Sequence, residues 1–86
     1  MNYVYMIRCH DRSLYTGWTK DITKRFLLHC EKRGAKYTRS KKRLKLVYLR
    51  SFETEREARV EEARIKKLSK DEKEELIKKS PTGLNC

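Results

Sequence analysis

The sequence predicts an α+β fold, with a three-stranded antiparallel sheet flanked by helices. Two apolar, strand-like runs lie within the first 20 residues, the following segment changes to helical spacing, and two capping-box sequences come after a third strand-like run. Alternating apolar residues are typical of strands, and apolar residues three or four apart are typical of helices. A chain of 86 residues has room for one domain with one core.

The first two strands form a predicted β-hairpin. Residues 2–8 (Asn-Tyr-Val-Tyr-Met-Ile-Arg) and 14–18 (Leu-Tyr-Thr-Gly-Trp) are rich in β-branched and aromatic residues. The polar residues 10–13 separate them and favour a turn.

Residues 21–32 change to the spacing of a helix. The apolar stripe of this helix consists of Ile22, Phe26 and Leu27. Asp21 or Thr19 can cap its start, and Gly34 is expected to end it.

Residues 44–51 alternate as a third strand. Its two predicted faces consist of Leu44, Leu46 and Tyr48 on one side and Lys45, Val47 and Leu49 on the other.

Capping boxes at residues 54–57 (Thr-Glu-Arg-Glu) and 69–72 (Ser-Lys-Asp-Glu) predict two further helices, with a sharp corner between them. In the first of these helices, a 3.6-residue period places Ala58, Glu62 and Ile65 along one stripe and Glu61 about 100° away.

Pro81 and Gly83 are expected to end regular structure. The prediction is therefore one domain over residues 1–80 and a short, frayed C-terminal tail over residues 81–86.

The net charge of +11 comes from one half of the chain. Residues 1–52 carry 14 Lys or Arg against three acidic residues, whereas residues 53–86 carry nine of each sign. Such asymmetry favours binding to a nucleic acid, and the alternative is an anionic membrane surface. No segment combines a basic face with bulky aromatics, as membrane-surface helices do, so we expect no membrane partner.

The high charged fraction of 41% leaves disorder as another alternative. Five tyrosines, one tryptophan and patterned apolar runs argue instead for a small core.

The three cysteines, Cys9, Cys30 and Cys86, are odd in number and form no CxxC pair. This pattern argues against a disulfide framework and a thiolate zinc site, so we expect free thiols in a reducing compartment. No apolar stretch resembles a signal peptide or a membrane span, which predicts a cytoplasmic protein.

Several short motifs and single residues follow one another in an order typical of one protein family. Residues 3–5 (Tyr-Val-Tyr) precede residues 15–17 (Tyr-Thr-Gly), and Arg25, His29 and Glu62 follow. This ordered set resembles the GIY-YIG nuclease family over nearly the whole chain.

Three longer segments sharpen the resemblance: Leu14-Tyr-Thr-Gly-Trp-Thr, Gly34-Ala-Lys-Tyr-Thr-Arg39 and Ile65-Lys-Lys-Leu-Ser69. They are similar to small bacterial members that consist of the nuclease domain alone. The first motif departs from the family pattern, because Tyr3 stands where the family name has Gly.

The resemblance implies a phosphodiester-cleaving site. Glu62 would hold one divalent ion, Mg²⁺ or Mn²⁺, which suits a single carboxylate completed by water and substrate phosphate. Arg25 would clamp the scissile phosphate with its guanidinium fork. One of Tyr5 and Tyr15 would accept the proton of the attacking water while the other orients water or phosphate. For that role, Arg25 and the metal would have to lower the phenol pKa.

His29 lies one helical turn from Arg25, and an ordinary imidazole titrates near neutral pH. It is expected to position or accept the proton. Read singly, all five of these residues have ordinary structural explanations; their joint spacing favours the site.

A basic stretch with one aromatic side chain is predicted to contact nucleic acid. Its residues are Lys36, Tyr37, Arg39, Lys41, Lys42 and Arg43. A solvated loop is the alternative. Gly17 allows close approach of backbone to phosphate, with a simple strand end as the equal alternative. His10 is expected to be plain surface.

The leading hypothesis is a divalent-metal-dependent DNA endonuclease that hydrolyses phosphodiester bonds in structured or damaged DNA, in repair or recombination. RNA is the other candidate substrate. One alternative is a nucleic-acid-binding module of the same fold with weak or no cleavage. A third is an adaptor whose charge-balanced second half docks a protein partner in a repair or recombination assembly.

Overall fold

A computed structural model describes residues 1–34, 38 and 41–79, together with the backbone of residues 84–85. Its elements are β1 (Asn2–Arg8), β2 (Leu14–Thr19), α1 (Ile22–Cys30), β3 (Lys45–Phe52), α2 (Glu55–Lys66), α3 (Lys70–Lys79) and β4 (Leu84–Asn85). The predicted α+β fold, with three antiparallel strands flanked by helices, is confirmed.

The strands lie in the order β2-β1-β3-β4, and every neighbouring pair is antiparallel. β1 therefore lies between two partners, and its Tyr5 pairs with Gly17 of β2 and Leu49 of β3. The two-residue strand β4 pairs with Lys45 and Leu46 of β3. Regular structure thus extends past residue 83, where it was expected to have ended. The division into a domain over 1–80 and a tail over 81–86 stays a prediction.

Both faces of the sheet are covered. On one face, Val4 and Met6 of β1 pack with Ala58 and Ile65 of α2, and side chains of α3 complete this cluster. On the other face, a second cluster joins the sheet to Phe26 of α1. The members of this second cluster are Tyr5, Ile7, Cys9, Phe26, Leu44 and Leu46. Because side chains alternate along a strand, β1 supplies both clusters at once.

A β-bulge interrupts β3. Met6 pairs with Tyr48 but Ile7 pairs with Leu46, so Val47 is the extra residue. Leu46 and Leu49 pack on the α1 face, whereas Val47 and Tyr48 pack on the opposite one. The strict alternation predicted for this strand is therefore wrong from Tyr48 onward, because the inserted Val47 exchanges the faces of the residues that follow it.

The start of α1 is as predicted, but its end is not. The Asp21 carboxylate accepts a hydrogen bond from Lys24 N and caps the helix. Lys32, with φ of 62°, takes the left-handed position after the helix, and Arg33 N donates to Leu28 O at 2.8 Å. This is a Schellman ending built on lysine, so Gly34 does not end the helix.

The apolar stripe predicted for α1 is wrong at Leu27, which is 55% exposed. The buried residues of the helix are Phe26 and His29, which lie three apart on one face.

Both predicted capping boxes are present. Thr54 and Glu57 exchange hydrogen bonds at the start of α2, and Ser69 and Glu72 do the same at the start of α3. Reciprocal bonding of this kind pairs two backbone N–H groups that would otherwise lack partners.

The buried face of α2 differs from the predicted stripe, because it carries Glu61 with Ala58 and Ile65. The Glu61 carboxylate is bound by Arg64 at 2.7 and 2.9 Å and by Arg50 at 3.3 Å. These ion pairs, Arg64 foremost, lower the pKa of Glu61. Burial of the carboxylate is tolerated because it is paired.

A bidentate ion pair ties the sheet to α3. The Arg8 guanidinium donates to both Glu74 carboxylate oxygens, at 2.6 and 2.7 Å.

Within the described part of the chain, no helix is long and apolar enough to cross a membrane.

The expectation of three free thiols is wrong for Cys30, which is disulfide-bonded, whereas Cys9 is a buried free thiol. Neither an odd count nor the absence of CxxC excludes a pair of cysteines that are distant in sequence.

Thr16 supplies a test of the core. Its side chain is buried, and its Oγ1 finds no hydrogen-bond partner among the described residues. Replacing a buried unpaired hydroxyl by a methyl group of the same shape removes a desolvation cost. We expect Thr16→Val to raise the free energy of unfolding by about 1 kcal/mol, measured by urea denaturation.

Thr19→Val is the matched control, because the Thr19 hydroxyl both donates to Asp21 O and accepts from Asp21 N. This variant should show no gain. A fall of more than about 1 kcal/mol in Thr16→Val would contradict the unpaired state of the hydroxyl.

Candidate active site

The Tyr5 phenol lies at the centre of the α1 face of the sheet and is 1% exposed. Its cross-strand partner is Gly17. A Cβ at Gly17 would lie 2.7 Å from Tyr5 Oη and 2.8 Å from its Cζ, closer than any side chain tolerates. Gly17 is therefore required to leave room for the phenol, an explanation distinct from both a strand end and a phosphate contact.

Four polar side chains form a connected chain through this region. Arg25 Nε donates to Tyr5 Oη at 3.4 Å, and Tyr5 Oη lies 3.0 Å from His29 Nε2. His29 Nδ1 lies 2.7 Å from Thr38 Oγ1. His29 and Thr38 are both completely buried. The helix α1 supplies Arg25 and His29 from one face because they are four residues apart.

The second predicted tyrosine, Tyr15, lies beside the first. Its ring centroid is 6.2 Å from that of Tyr5 and 5.2 Å from that of His29. Arg25 is hydrogen-bonded first to Tyr5 and also to Tyr15, and these bonds raise its pKa. Unlike Tyr5, Tyr15 is only half-buried. The structure thus brings together all four predicted catalytic side chains, Tyr5, Tyr15, Arg25 and His29.

The pKa of Tyr5 departs from the sequence expectation. Burial raises it to about 12, although the hydrogen bond from Arg25 acts in the opposite direction. A buried phenolate is disfavoured because the low-dielectric surroundings penalise the charged form. Tyr5 is therefore a neutral phenol at pH 7, and Arg25 alone does not make it a base.

His29 departs in the same sense. Burial, and then the positive charge of Arg25, lower its pKa from 6.5 to about 4. At neutral pH the ring is uncharged and can accept a hydrogen bond through one nitrogen while donating through the other. The sequence predicted an imidazole that titrates near neutral pH, and the lowered pKa of His29 contradicts that prediction.

Glu62 lies on α2, half-buried, and its carboxylate is 3.4 Å from Lys66 Nζ. It is near enough to the phenol cluster that its charge is among the minor influences that raise the pKa of Tyr5. Over residues 1–34, 38 and 41–79, no group of three or more His, Cys, Asp or Glu could hold a metal ion. A single accessible carboxylate fits Mg²⁺, which keeps several waters and binds substrate phosphate.

The predicted nucleic-acid-binding stretch is only partly within the described residues, since Lys36, Tyr37 and Arg39 lie outside them. Lys41 Nζ is 2.6 Å from the Asp11 carboxylate, so an ion pair offsets part of its charge. Lys42 and Arg43 are exposed.

His10 is exposed, as expected, and its Nδ1 accepts a hydrogen bond from Lys42 N at 3.1 Å. Lys32 Nζ also donates to the carbonyl of Lys41. The hairpin turn and the segment after α1 therefore hold the C-terminal end of the basic stretch, at Lys41 and Lys42.

Two members of the site were missed from sequence. Thr38 was hidden inside the basic stretch, where its hydroxyl is one of few uncharged side chains. Gly34 was interpreted as a helix end, yet a Cβ there would lie 2.5 Å from His29 Nδ1. Because Lys32 ends the helix, Gly34 is not needed for that purpose. A glycine without such a role indicates close packing of its backbone against another group.

Comparison with known proteins identifies the family of the domain. A model of the GIY-YIG catalytic domain matches residues 1–75. The chain belongs to the GIY-YIG family. This family consists of nucleases, and GIY-YIG nucleases generally use a divalent metal and act on nucleic acid.

Relatives within the GIY-YIG family are small proteins with a single such domain. A UPF0213 protein of Clostridium perfringens is 52% identical over 90% of this chain and 83% of its own length. A UPF0213 protein of Syntrophus aciditrophicus is 48% identical over 93% of both chains.

The solution NMR structure of a UPF0213 protein from Bacillus halodurans is 40% identical, with a TM-score of 0.63. The structural alignment covers 94% of this GIY-YIG chain and 87% of the Bacillus halodurans chain. At that identity, the likeness extends beyond the fold to the family.

We expect Gly17→Ala to lower the free energy of unfolding by about 1–3 kcal/mol, because the added methyl displaces the Tyr5 phenol. Urea denaturation measures the loss. Tyr5→Phe removes the oxygen nearest to the methyl, so the double variant should lose less than the sum of the two single variants. Strictly additive losses would show that Gly17 does not accommodate the phenol.

We expect stability to depend on pH through His29. Its folded-state pKa of about 4 lies below the ordinary 6.5, so the unfolded chain takes up the proton first. The stabilising contribution is complete above pH 6.5 and is lost as the pH falls towards 4. Urea denaturation across that range should give a shallower fall for His29→Gln than for the unaltered protein. Parallel curves, or an NMR midpoint for His29 near 6.5, would contradict this.

Proposed function

We propose that this protein is a divalent-metal-dependent DNA endonuclease that hydrolyses phosphodiester bonds in structured or damaged DNA, in repair or recombination. The observation that carries the proposal is the buried chain from Arg25 through Tyr5 and His29 to Thr38, with Tyr15 and Glu62 nearby. A pair of adjacent phenols beside a guanidinium suits a site that handles an anionic substrate and a water molecule.

In hydrolysis a water oxygen attacks phosphorus, the water loses a proton, and the leaving oxygen gains one. Arg25 is assigned to bind phosphate oxygens with its guanidinium, which hydrogen bonds hold beside the two phenols. Its charge also stabilises the negative charge that develops on phosphate in the transition state.

The two phenols take different roles. Tyr5 is buried and neutral, so it is assigned to orient the phosphate through its hydrogen bond with Arg25 rather than to act as a phenolate. Tyr15 is the more accessible of the two and is assigned to accept the water proton. His29 Nε2 hydrogen-bonds to Tyr5 Oη and is assigned to hold the phenol in place.

Glu62 is the carboxylate assigned to hold one Mg²⁺ or Mn²⁺ ion. When bound, such an ion supplies charge stabilisation to the phosphate and lowers the pKa of a coordinated water. Glu61, its neighbour, is unsuited to this role because Arg50 and Arg64 already occupy its oxygens.

Binding to the DNA backbone is assigned to the exposed cations at Lys42 and Arg43, together with Lys36, Tyr37, Arg39 and Lys41. The charge of residues 1–52 supports this assignment. Non-specific contacts of this type weaken steeply as salt rises.

The proposal is tested by a cleavage panel of nicked, branched and single-stranded DNA with Mg²⁺ or Mn²⁺. Glu62→Gln should lower the cleavage rate by about a hundredfold or more, because charge stabilisation at the phosphate is lost. Glu61→Gln on the same helix is the matched control, and it should lower stability while the folded fraction keeps its activity.

Absence of cleavage by the unaltered protein on every substrate, with both metals, would overturn the endonuclease proposal. A tight, salt-sensitive complex without products would instead identify a nucleic-acid-binding module. Equal activity of Glu62→Gln and the unaltered protein would remove Glu62 from the metal site.

A further inference from the structure

The far side of the His29 ring is enclosed. Its Nδ1 lies 2.7 Å from Thr38 Oγ1, and neither residue has any exposed surface. The backbone at Gly34 lies so close that a Cβ would be 2.5 Å from the same nitrogen. Water therefore has no access to Nδ1, and Thr38 is the hydrogen-bond partner that faces it.

Hydrogen-bond directions can be derived from the other end of the chain. The Arg25 guanidinium only donates, so Tyr5 Oη accepts from it. Among the described residues, His29 Nε2 is the one remaining partner of Tyr5 Oη. If Nε2 carried a hydrogen and donated it, the Tyr5 proton would be buried without an acceptor, which folded proteins strongly avoid.

The satisfied arrangement runs in one direction. Tyr5 O–H donates to Nε2, which then carries no hydrogen, and the neutral ring carries its hydrogen on Nδ1. Nδ1–H donates to Thr38 Oγ1. The Tyr5 hydroxyl hydrogen and the His29 Nδ1 hydrogen then each have an acceptor.

We propose that Thr38 is a positioning residue that fixes His29 as the Nδ1–H tautomer and thereby directs the Tyr5 proton towards His29, so that the phenol oxygen acts only as an acceptor towards Arg25. A group two contacts away from Tyr5 thus determines which way its hydroxyl points. The proposed role requires the Thr38 hydroxyl as an acceptor. A purely structural role would not, because any side chain of the same shape could fill the space.

The consequence for chemistry rests on the proposed function. A phenol oxygen that only accepts keeps the Arg25 guanidinium beside it, and Arg25 is the residue assigned to bind phosphate, whereas a phenol proton directed towards the guanidinium would repel it. The tautomer itself does not depend on DNA cleavage and is measured without substrate.

The test is ¹⁵N NMR of the imidazole at neutral pH in the full chain. The unaltered protein should show a protonated Nδ1 and an unprotonated Nε2. Thr38→Val keeps the shape and removes the acceptor, so the Nδ1–H form should give way to a mixture or to the Nε2–H form. Thr38→Ser restores the hydroxyl and should restore the Nδ1–H form.

An Nε2–H tautomer in the unaltered protein overturns the proposal whether or not Thr38→Val folds. An unchanged Nδ1–H form in folded Thr38→Val overturns it as well. If the protein cleaves DNA, Thr38→Val should lower kcat roughly tenfold to a hundredfold with little change in KM, by analogy with the partners that orient metal-binding histidines. Failure of cleavage altogether would count against the endonuclease proposal and leave the NMR result standing.

Discussion

The buried contact between Tyr5 Oη and His29 Nε2, at 3.0 Å, is the interaction on which the rest of the site depends. It joins the central strand of the sheet to α1, and its burial requires further polar partners at both ends. Arg25 and Thr38 supply those partners, while Gly17 and Gly34 leave space for the two rings. Since Tyr5 also belongs to an apolar cluster of the core, the site and the fold share the same atoms.

Most of the fold could be predicted from local sequence. Alternation located the strands, and Thr54 and Ser69 located two helix starts, because a capping box is a short-range pattern. The bulge at Val47 could not be predicted, since it depends on which residues of a neighbouring strand lie opposite. The end of α1 was missed because lysine, rather than glycine, adopts the left-handed position at residue 32.

The same division applies to the site. Motif order located the two phenols, Arg25 and His29, which the fold does bring together. Motif order carries no information about burial, so it gave the wrong electrostatics: Tyr5 and His29 are both held neutral by desolvation. Thr38 was missed because its role depends on a contact across nine residues rather than on spacing along one element.

The bulge in β3 has a consequence for how relatives of this protein are aligned. Before Val47 the even-numbered side chains, such as Leu46, face α1; after it the odd-numbered Leu49 does. A gap-free alignment to a relative without the extra residue would match core positions of one cluster with those of the other. The number of residues in this strand therefore determines which side chains face α1. A deletion of residue 47 would move every later side chain of β3 to the opposite face of the sheet, although the later residues themselves would be unchanged.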